Sequence, residues 1–227
     1  ARQTKGGLLM KALLIGGTGT ISTEVTRRLL NTGWDVTLVN RGSHPLPEGA
    51  KNLTADAKNE TDLATKLAGQ SFDAVVDFIA FTPQDTERDF RLFAGKTGQY
   101  VFISSASAYQ KPCTPLPITE STPLYNPFWQ YSRDKIACEE ALLRHFRDDG
   151  FPVTIVRPSH TYADSKVPLG LYGTTSWQVI RRMMAGKPVP IHGDGTSLWT
   201  FTHSRDFAQG FCGLLGNPHA LGQSVHI

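Results

Sequence analysis

Two hydrophobic patterns alternate along the chain. Short runs of consecutive apolar residues, too short for helices, read as buried strands at Lys11–Ile15, Asp35–Val39, Ala74–Phe81, Tyr100–Ser104 and Pro152–Arg157, with a weaker one at Asn52–Asp56. Between them, helical spacing predicts helices over Thr20–Leu30 (on Ile21, Val25, Leu29 and Leu30), Thr61–Leu67, Pro83 to about Ala94, and Trp129–Asp149, the longest. Gly33, Asn40-Arg41-Gly42, the loop Ser43–Gly49 and a Pro-rich loop through Pro112, Pro115, Pro117, Pro123 and Pro127 punctuate the series. Strands alternating with helices at this spacing predict an α/β fold with a doubly wound, mostly parallel sheet. Ligands of such sheets bind beyond the C-terminal ends of the strands. From about Thr161 the alternation weakens, with helices predicted at Ser176–Ala185 and Arg205–Leu215. The reading is a sheet domain over 10–160 and a smaller lobe over 161–227 that covers the ligand edge, some of its segments rejoining the sheet.

Composition narrows this only a little. The 227 residues suffice for one large domain or a domain with a lobe, and 40% hydrophobic against 19% charged residues is a globular balance. Arg2 and Lys5 lie in Ala1–Leu9, which reads as a leader or added segment before a natural start at Met10. Without them, 21 basic residues face 20 acidic ones, so composition makes no case for nucleic acid. No apolar run reaches membrane-spanning length and no signal-peptide pattern precedes the first strand. Cys113, Cys138 and Cys212 are odd in number and far apart, which favours reduced thiols in a cytoplasmic compartment over disulfides or a metal site.

The candidate chemistry lies on the predicted ligand rim. Gly16-Gly17-Thr18-Gly19-Thr20-Ile21 joins the first strand to the first helix. Such a turn offers backbone N–H groups at the positive end of the helix dipole, a phosphate site, and lets the backbone approach a ligand closely. Tyr131 and Lys135 stand four apart, on one face of the long helix. A free phenol with a pKa of about 10 is roughly one part in a thousand ionised at neutral pH, and an adjacent cation favours the phenolate. Such a pair also arises by chance. Ser104 and Ser105 end the fifth strand on the same rim, where a hydroxyl either holds a substrate oxygen or caps the strand.

Taken together, these motifs resemble the extended short-chain dehydrogenase/reductases, the NAD-dependent epimerase/dehydratase group, from Met10 to the last residue. The matching stretches are Gly16 to Ser22, Asp56-Ala57, Phe78-Ile79-Ala80, Ser104 to Tyr109, Glu120 to Pro123, Tyr131 to Lys135 and Arg157-Pro158, with Gly193-Asp194-Gly195 and His203 to Asp206 later. The resemblance implies a Rossmann-type domain over 10–160 and a partial substrate lobe over 161–227. It places cofactor contacts at Gly16, Gly17, Thr18, Gly19, Thr20, Ile21, Asn40, Arg41, Asp56, Ala57, Phe78, Ile79, Ala80, Ser104, Tyr131, Lys135 and Pro158. It makes Tyr131 the acid/base, has Lys135 hold the nicotinamide ribose and lower the tyrosine pKa, and has Ser105 bond the reacting oxygen. It also implies a homodimer through a four-helix bundle that includes the Tyr131 helix.

Departures from the family pattern shape the rest. Ser22 replaces a third glycine. Asn40-Arg41 replaces an acidic residue that binds the adenosine ribose, and an amide plus a guanidinium suits a 2′-phosphate, so NAD(P) is expected with a lean to NADP. His160, where many members have asparagine, is a substrate donor or a packed loop residue. Trp199 stands where sugar-nucleotide epimerases often carry a diphosphate-binding arginine; it either stacks on a sugar or base or joins the core. Ala106-Ser107 replaces the Asp-Glu pair of the dehydratases, leaving no acid for an elimination. The chain stops at Val225-His226-Ile227, where the family normally continues its substrate lobe. The expected function is a nicotinamide-dependent epimerase or reductase acting on a carbohydrate-like hydroxyl or ketone of a sugar or sugar nucleotide. The competing reading is a non-catalytic nucleotide- or RNA-binding relative.

Overall fold

The structure is a computed structural model describing residues 4–5, 8–42, 45–113, 116–166, 168, 176–191 and 193–227. Parts of the leader and of the Ser43–Gly49 loop, and Pro115, lie outside these residues. The strands are β1 (Thr4–Lys5), β2 (Leu8–Leu9), β3 (Lys11–Ile15), β4 (Asp35–Asn40), β5 (Lys51–Thr54), β6 (Ala74–Asp77), β7 (Tyr100–Ile103), β8 (Val153–Arg157), β9 (His160–Tyr162), β10 (Phe201–His203) and β11 (Ser224–His226). The helices are α1 (Ser22–Asn31), α2 (Glu60–Lys66), α3 (Pro83–Phe93), α4 (Gln130–Asp149), α5 (Ser176–Met184) and α6 (Ser204–Cys212).

Seven parallel strands form the central sheet in the order β11-β8-β7-β6-β3-β4-β5. The chain winds outward in both directions from β3, so the switch point, and with it the ligand crevice, lies between the C-terminal ends of β3 and β6. Strands β6, β7 and β8 are buried along their whole length, as expected of a sheet covered on both faces. One face packs Leu63 of α2, Leu92 and Phe93 of α3, and Cys138 and Leu142 of α4. The other packs Val25 and Leu29 of α1 against Phe207 and Phe211 of α6. No helix among the described residues is long and apolar enough to cross a membrane.

Strand β6 ends at Asp77, short of the Ala74–Phe81 run. The Asp77 carboxylate accepts the N–H groups of Ile79 (2.6 Å) and Ala80 (2.8 Å), which turns the chain out of the ladder. Strand β5 likewise covers Lys51–Thr54, starting one residue earlier and ending two earlier than Asn52–Asp56. Within the stretch after Thr161, α6 joins the core beneath the sheet and β11 pairs with β8 as its edge strand. Strands β9 and β10 form a separate parallel pair that begins just past the end of β8.

Candidate active site

The loop after β3 is shaped by close approach. Gly16 adopts φ +81°, and a Cβ there would lie 2.6 Å from Ile79 Cγ2; a Cβ at Gly17 would lie 2.6 Å from Leu38 Cδ2. Ser22 does more than fit where a glycine is usual. Its buried hydroxyl accepts from the Gly19 N–H (2.7 Å) and donates to the Gly16 carbonyl (2.8 Å), tying the loop across its base. No side chain caps the start of α1, and among the described residues the Thr20 and Ile21 N–H groups have no backbone partner. A phosphate is the natural partner for such a helix end. A cleft of about 520 Å³ opens here between Gly19, Thr20 and Thr23 on one side and Asp164 and His203 on the other.

At the end of β4, Asn40 Oδ1 accepts the Gly42 N–H at 2.7 Å, which assigns the amide orientation. Its Nδ2 is buried and, among the described residues, is the one buried side-chain nitrogen or oxygen without a partner. Buried donors are normally satisfied, which makes this one an exception. Arg41 beside it is exposed. The glycine cradle, the uncapped helix and this orphaned donor fit a dinucleotide. Asp56 is exposed with its carboxylate on the Lys58 N–H (3.0 Å), and Ala57 is buried in the core edge.

Lys135 is 1% exposed on α4. Its Nζ donates to the carbonyls of Ala80 and Ile103, both at 2.7 Å, and so bridges the ends of β6 and β7. It lies 5.6 Å from the centroid of the Tyr131 ring, with Phe81 and Phe102 also beneath it. Burial lowers its pKa to about 8, against nearby negative groups that raise it. Burial also raises the Tyr131 phenol above its ordinary value, and hydrogen bonding by Ser105 opposes that rise. Trp129, just before α4, packs its ring 4.7 Å from that of Tyr131, and Phe81 lies at 6.3 Å.

Ser105 starts a short 3-10 turn, Ala106–Ala108, with its hydroxyl accepting the Ser107 N–H at 3.1 Å. Ser132 donates to Ser107 Oγ (2.8 Å), which lies 2.9 Å from Ser105 Oγ. Ser107 thus accepts from Ser132, and in its contact with Ser105 either hydroxyl can be the donor. Ser107 and Ser132 were not singled out from sequence, although Ser132 follows Tyr131 directly. Ser104 takes a different direction from its neighbour. It is 2% exposed and donates to Glu139, which also holds Arg157 in a buried ion pair (2.6 Å). Its hydroxyl is therefore committed beneath the rim.

The Pro158 carbonyl accepts the Ala106 N–H (2.9 Å), which joins the end of β8 to the Ser105 turn. Two residues on, His160 meets Trp199 and Phe201 edge-on at 5.6 and 5.2 Å, and Ser159 donates to the Thr200 carbonyl. Burial lowers the His160 pKa, with Lys166 adding to the effect. Trp199 and Phe201 stay 54% and 45% exposed, so neither is core. The fold thus brings His160 and Trp199 together, two residues beyond the Pro158 carbonyl that bonds the turn after Ser105. The thiols lie elsewhere: Cys138 is core and pushed up to about 12 by burial.

The chain is similar to known proteins. The chain is 31% identical over 224 residues to 2′-dehydrokanamycin reductase of Streptomyces kanamyceticus, covering 96% of this chain and 61% of that protein. It is 29% identical over 247 residues to the chloroplast stem-loop binding protein of 41 kDa b of Arabidopsis thaliana, covering 99% and 62%. It spans less than two thirds of the length of either curated relative. A dTDP-glucose 4,6-dehydratase from Streptomyces venezuelae, solved with NAD and TYD bound, superposes with a TM-score of 0.78 at 22% identity, covering 96% of this chain and 75% of that one. The sequence profile of the NAD dependent epimerase/dehydratase family matches residues 12–227, nearly everything from the first sheet strand onward, and the chain belongs to that family.

Proposed function

We propose that the chain carries the cofactor and catalytic half of a nicotinamide-dependent reductase or epimerase acting on a carbohydrate-like ketone or hydroxyl. The observation that carries this reading is the relay Ser132–Ser107–Ser105 beside Tyr131, with Lys135 fixed behind the phenol ring. The nicotinamide, when bound, supplies or accepts the hydride. Tyr131 gives its proton to the carbonyl oxygen as the alcohol forms and takes it back in the reverse direction. Ser105, which accepts the Ser107 N–H, donates its hydroxyl proton to the same oxygen. Lys135 spends two of its three N–H donors on the Ala80 and Ile103 carbonyls, which leaves the third for a ribose hydroxyl. The resting phenol is protonated, which suits an acid ready to reduce a ketone.

At the adenosine end, Asn40 Nδ2 and Arg41 present donors only. Two donors suit a 2′-phosphate better than a free ribose diol, which favours NADP. At the other end, Trp199 with Phe201 and His160 makes an aromatic edge in place of a diphosphate-binding arginine. This supports a glycoside lacking the nucleoside diphosphate, in keeping with similarity to a reductase of an aminoglycoside ketone.

Replacing Tyr131 by Phe should lower turnover by about a thousandfold while the Kd for NADP stays within about threefold; retained turnover would sink the mechanism. Arg41→Ala should reduce the NADP-over-NAD preference by about tenfold or more, and tight NAD binding without NADP binding refutes the assignment at Asn40-Arg41. The second reading, an RNA-binding role, draws on the similarity to the stem-loop binding protein. It predicts RNA affinity that falls steeply with salt and survives Tyr131→Phe.

A further inference from the structure

The turn that follows β6 rests on buried charges that the cofactor reading leaves unused. Asp77 is fully buried and Arg88 is 5% exposed. Arg88 reaches Asp77 at 3.2 Å and Asp85 at 3.2 Å, and grips Asp89 through two nitrogens at 2.9 and 2.7 Å. Lys58, from the loop before α2, completes the group at 2.6 Å from Asp85. Tyr100 of β7 donates to the remaining Asp89 oxygen at 2.6 Å. Asp77 and Asp89, both fully buried, therefore share the buried Arg88, while Asp85 also has the half-exposed Lys58, and an unmatched buried charge is strongly disfavoured. One proton on the carboxyl groups makes the cluster neutral.

We propose that Asp77 and Asp89 share that proton, and that Asp77 is a positioning residue that holds Lys135 through the Phe78–Ala80 turn. The path is short. Asp77 Oδ1 takes the Ile79 and Ala80 N–H groups, and the Ala80 carbonyl takes Lys135 Nζ. The pairing of the carboxyl groups agrees with the direction of their titration. Burial raises Asp77, and burial together with the charge of Asp77 raises Asp89 well above the carboxylate range. Such a pair titrates as a unit. Asp85 stays ionised at about 2, held there by Lys58 and the Phe81 and Thr82 N–H groups against its own burial. From α4, Lys135, Cys138 and Glu139 approach this side. Cys138 is a neutral thiol, while Asp77, Asp85 and Glu139 all help keep Lys135 charged against its burial. Asp89 instead makes its bonds to Arg88 and Tyr100. The two acids thus hold the same proton but differ in their reach toward the lysine.

Only the consequence for the reaction rests on Lys135 serving the cofactor; the proton and the lysine titration are read without ligand. Infrared spectra of the whole chain with isotopically labelled aspartate should show one protonated aspartic acid at neutral pH. That band should vanish in Asp77→Asn and in Asp89→Asn, since each variant balances two carboxylates against two cations. NMR titration of labelled lysine should give Lys135 a midpoint of about 8, lower by half a unit or more in Asp77→Asn and not lowered in Asp89→Asn, which leaves Asp77 ionised. Absence of the protonated band in the unmodified chain overturns the shared proton, whether or not a variant folds. An equal shift in both variants, or none in Asp77→Asn, overturns the positioning role. A chain that passes these tests but keeps turnover in Tyr131→Phe retains the proton pair and loses the proposed mechanism instead.

Discussion

The rim between β3 and β6 and the edge formed by β9 and β10 are held together differently. On the rim, several polar side chains are tied to backbone groups: Ser22 to Gly19 and Gly16, Asp77 to Ile79 and Ala80, Lys135 to Ala80 and Ile103. Hydrogen bonds to backbone fix main-chain geometry, and buried ones are costly to leave unmade. On the β9–β10 edge, contacts are ring against ring, and Trp199 and Phe201 remain about half exposed. Such contacts add little to stability but offer apolar faces to a ligand. The contrast teaches that the glycine-loop rim is tied into the folding core, whereas the β9–β10 edge exposes side chains that carry little of the fold.

The comparison is open to direct attack, and the largest effect belongs on the rim. Gly16→Ala introduces a side chain at φ +81° with Ile79 Cγ2 at 2.6 Å. It should destabilise the chain by about 2–4 kcal/mol, seen as a lower Tm, and weaken cofactor binding at least about tenfold. Ser22→Ala removes the tie across the loop and strands a partly buried N–H and C=O; a loss of about 1–3 kcal/mol should follow in denaturant unfolding. Trp199→Ala should be the mildest for the fold, within about 0.5 kcal/mol. It should raise KM for a carbohydrate substrate several-fold and leave the Kd for NADP unchanged. If Trp199→Ala destabilised the chain as much as Gly16→Ala, the division between a structural rim and a permissive edge would collapse.

Much of the sheet was legible because consecutive apolar runs and helical spacing are properties of neighbouring residues. The weak points share a cause. The run Ala74–Phe81 looks like one strand until the Asp77 carboxylate bends it, and the acid lies inside the run as a single letter with no periodic signal. Strand β11 is three residues long and exists only because β8 offers it an edge. Helix α6 was predicted, but its place under the sheet depends on Phe207 and Phe211 meeting Val25 and Leu29 of α1. Within the site, Ser104 and Ser105 are chemically alike in sequence, and only the position of Glu139 on α4 sends one inward and leaves the other on the rim.

By itself the sequence determined the order of strands and helices, the glycine turn ahead of α1, the pairing of Tyr131 with Lys135 on one helix face and, through the motifs, the family. These follow from local spacing, which needs no knowledge of what is distant in the chain. The tertiary structure alone decided which polar atoms are already satisfied. It left Asn40 Nδ2 without a partner, tied Lys135 to two strand ends, and buried Asp77, Asp85 and Asp89 around Arg88. Satisfaction and charge balance depend on groups brought together by folding, and in a low-dielectric interior those neighbours set what each side chain is able to do.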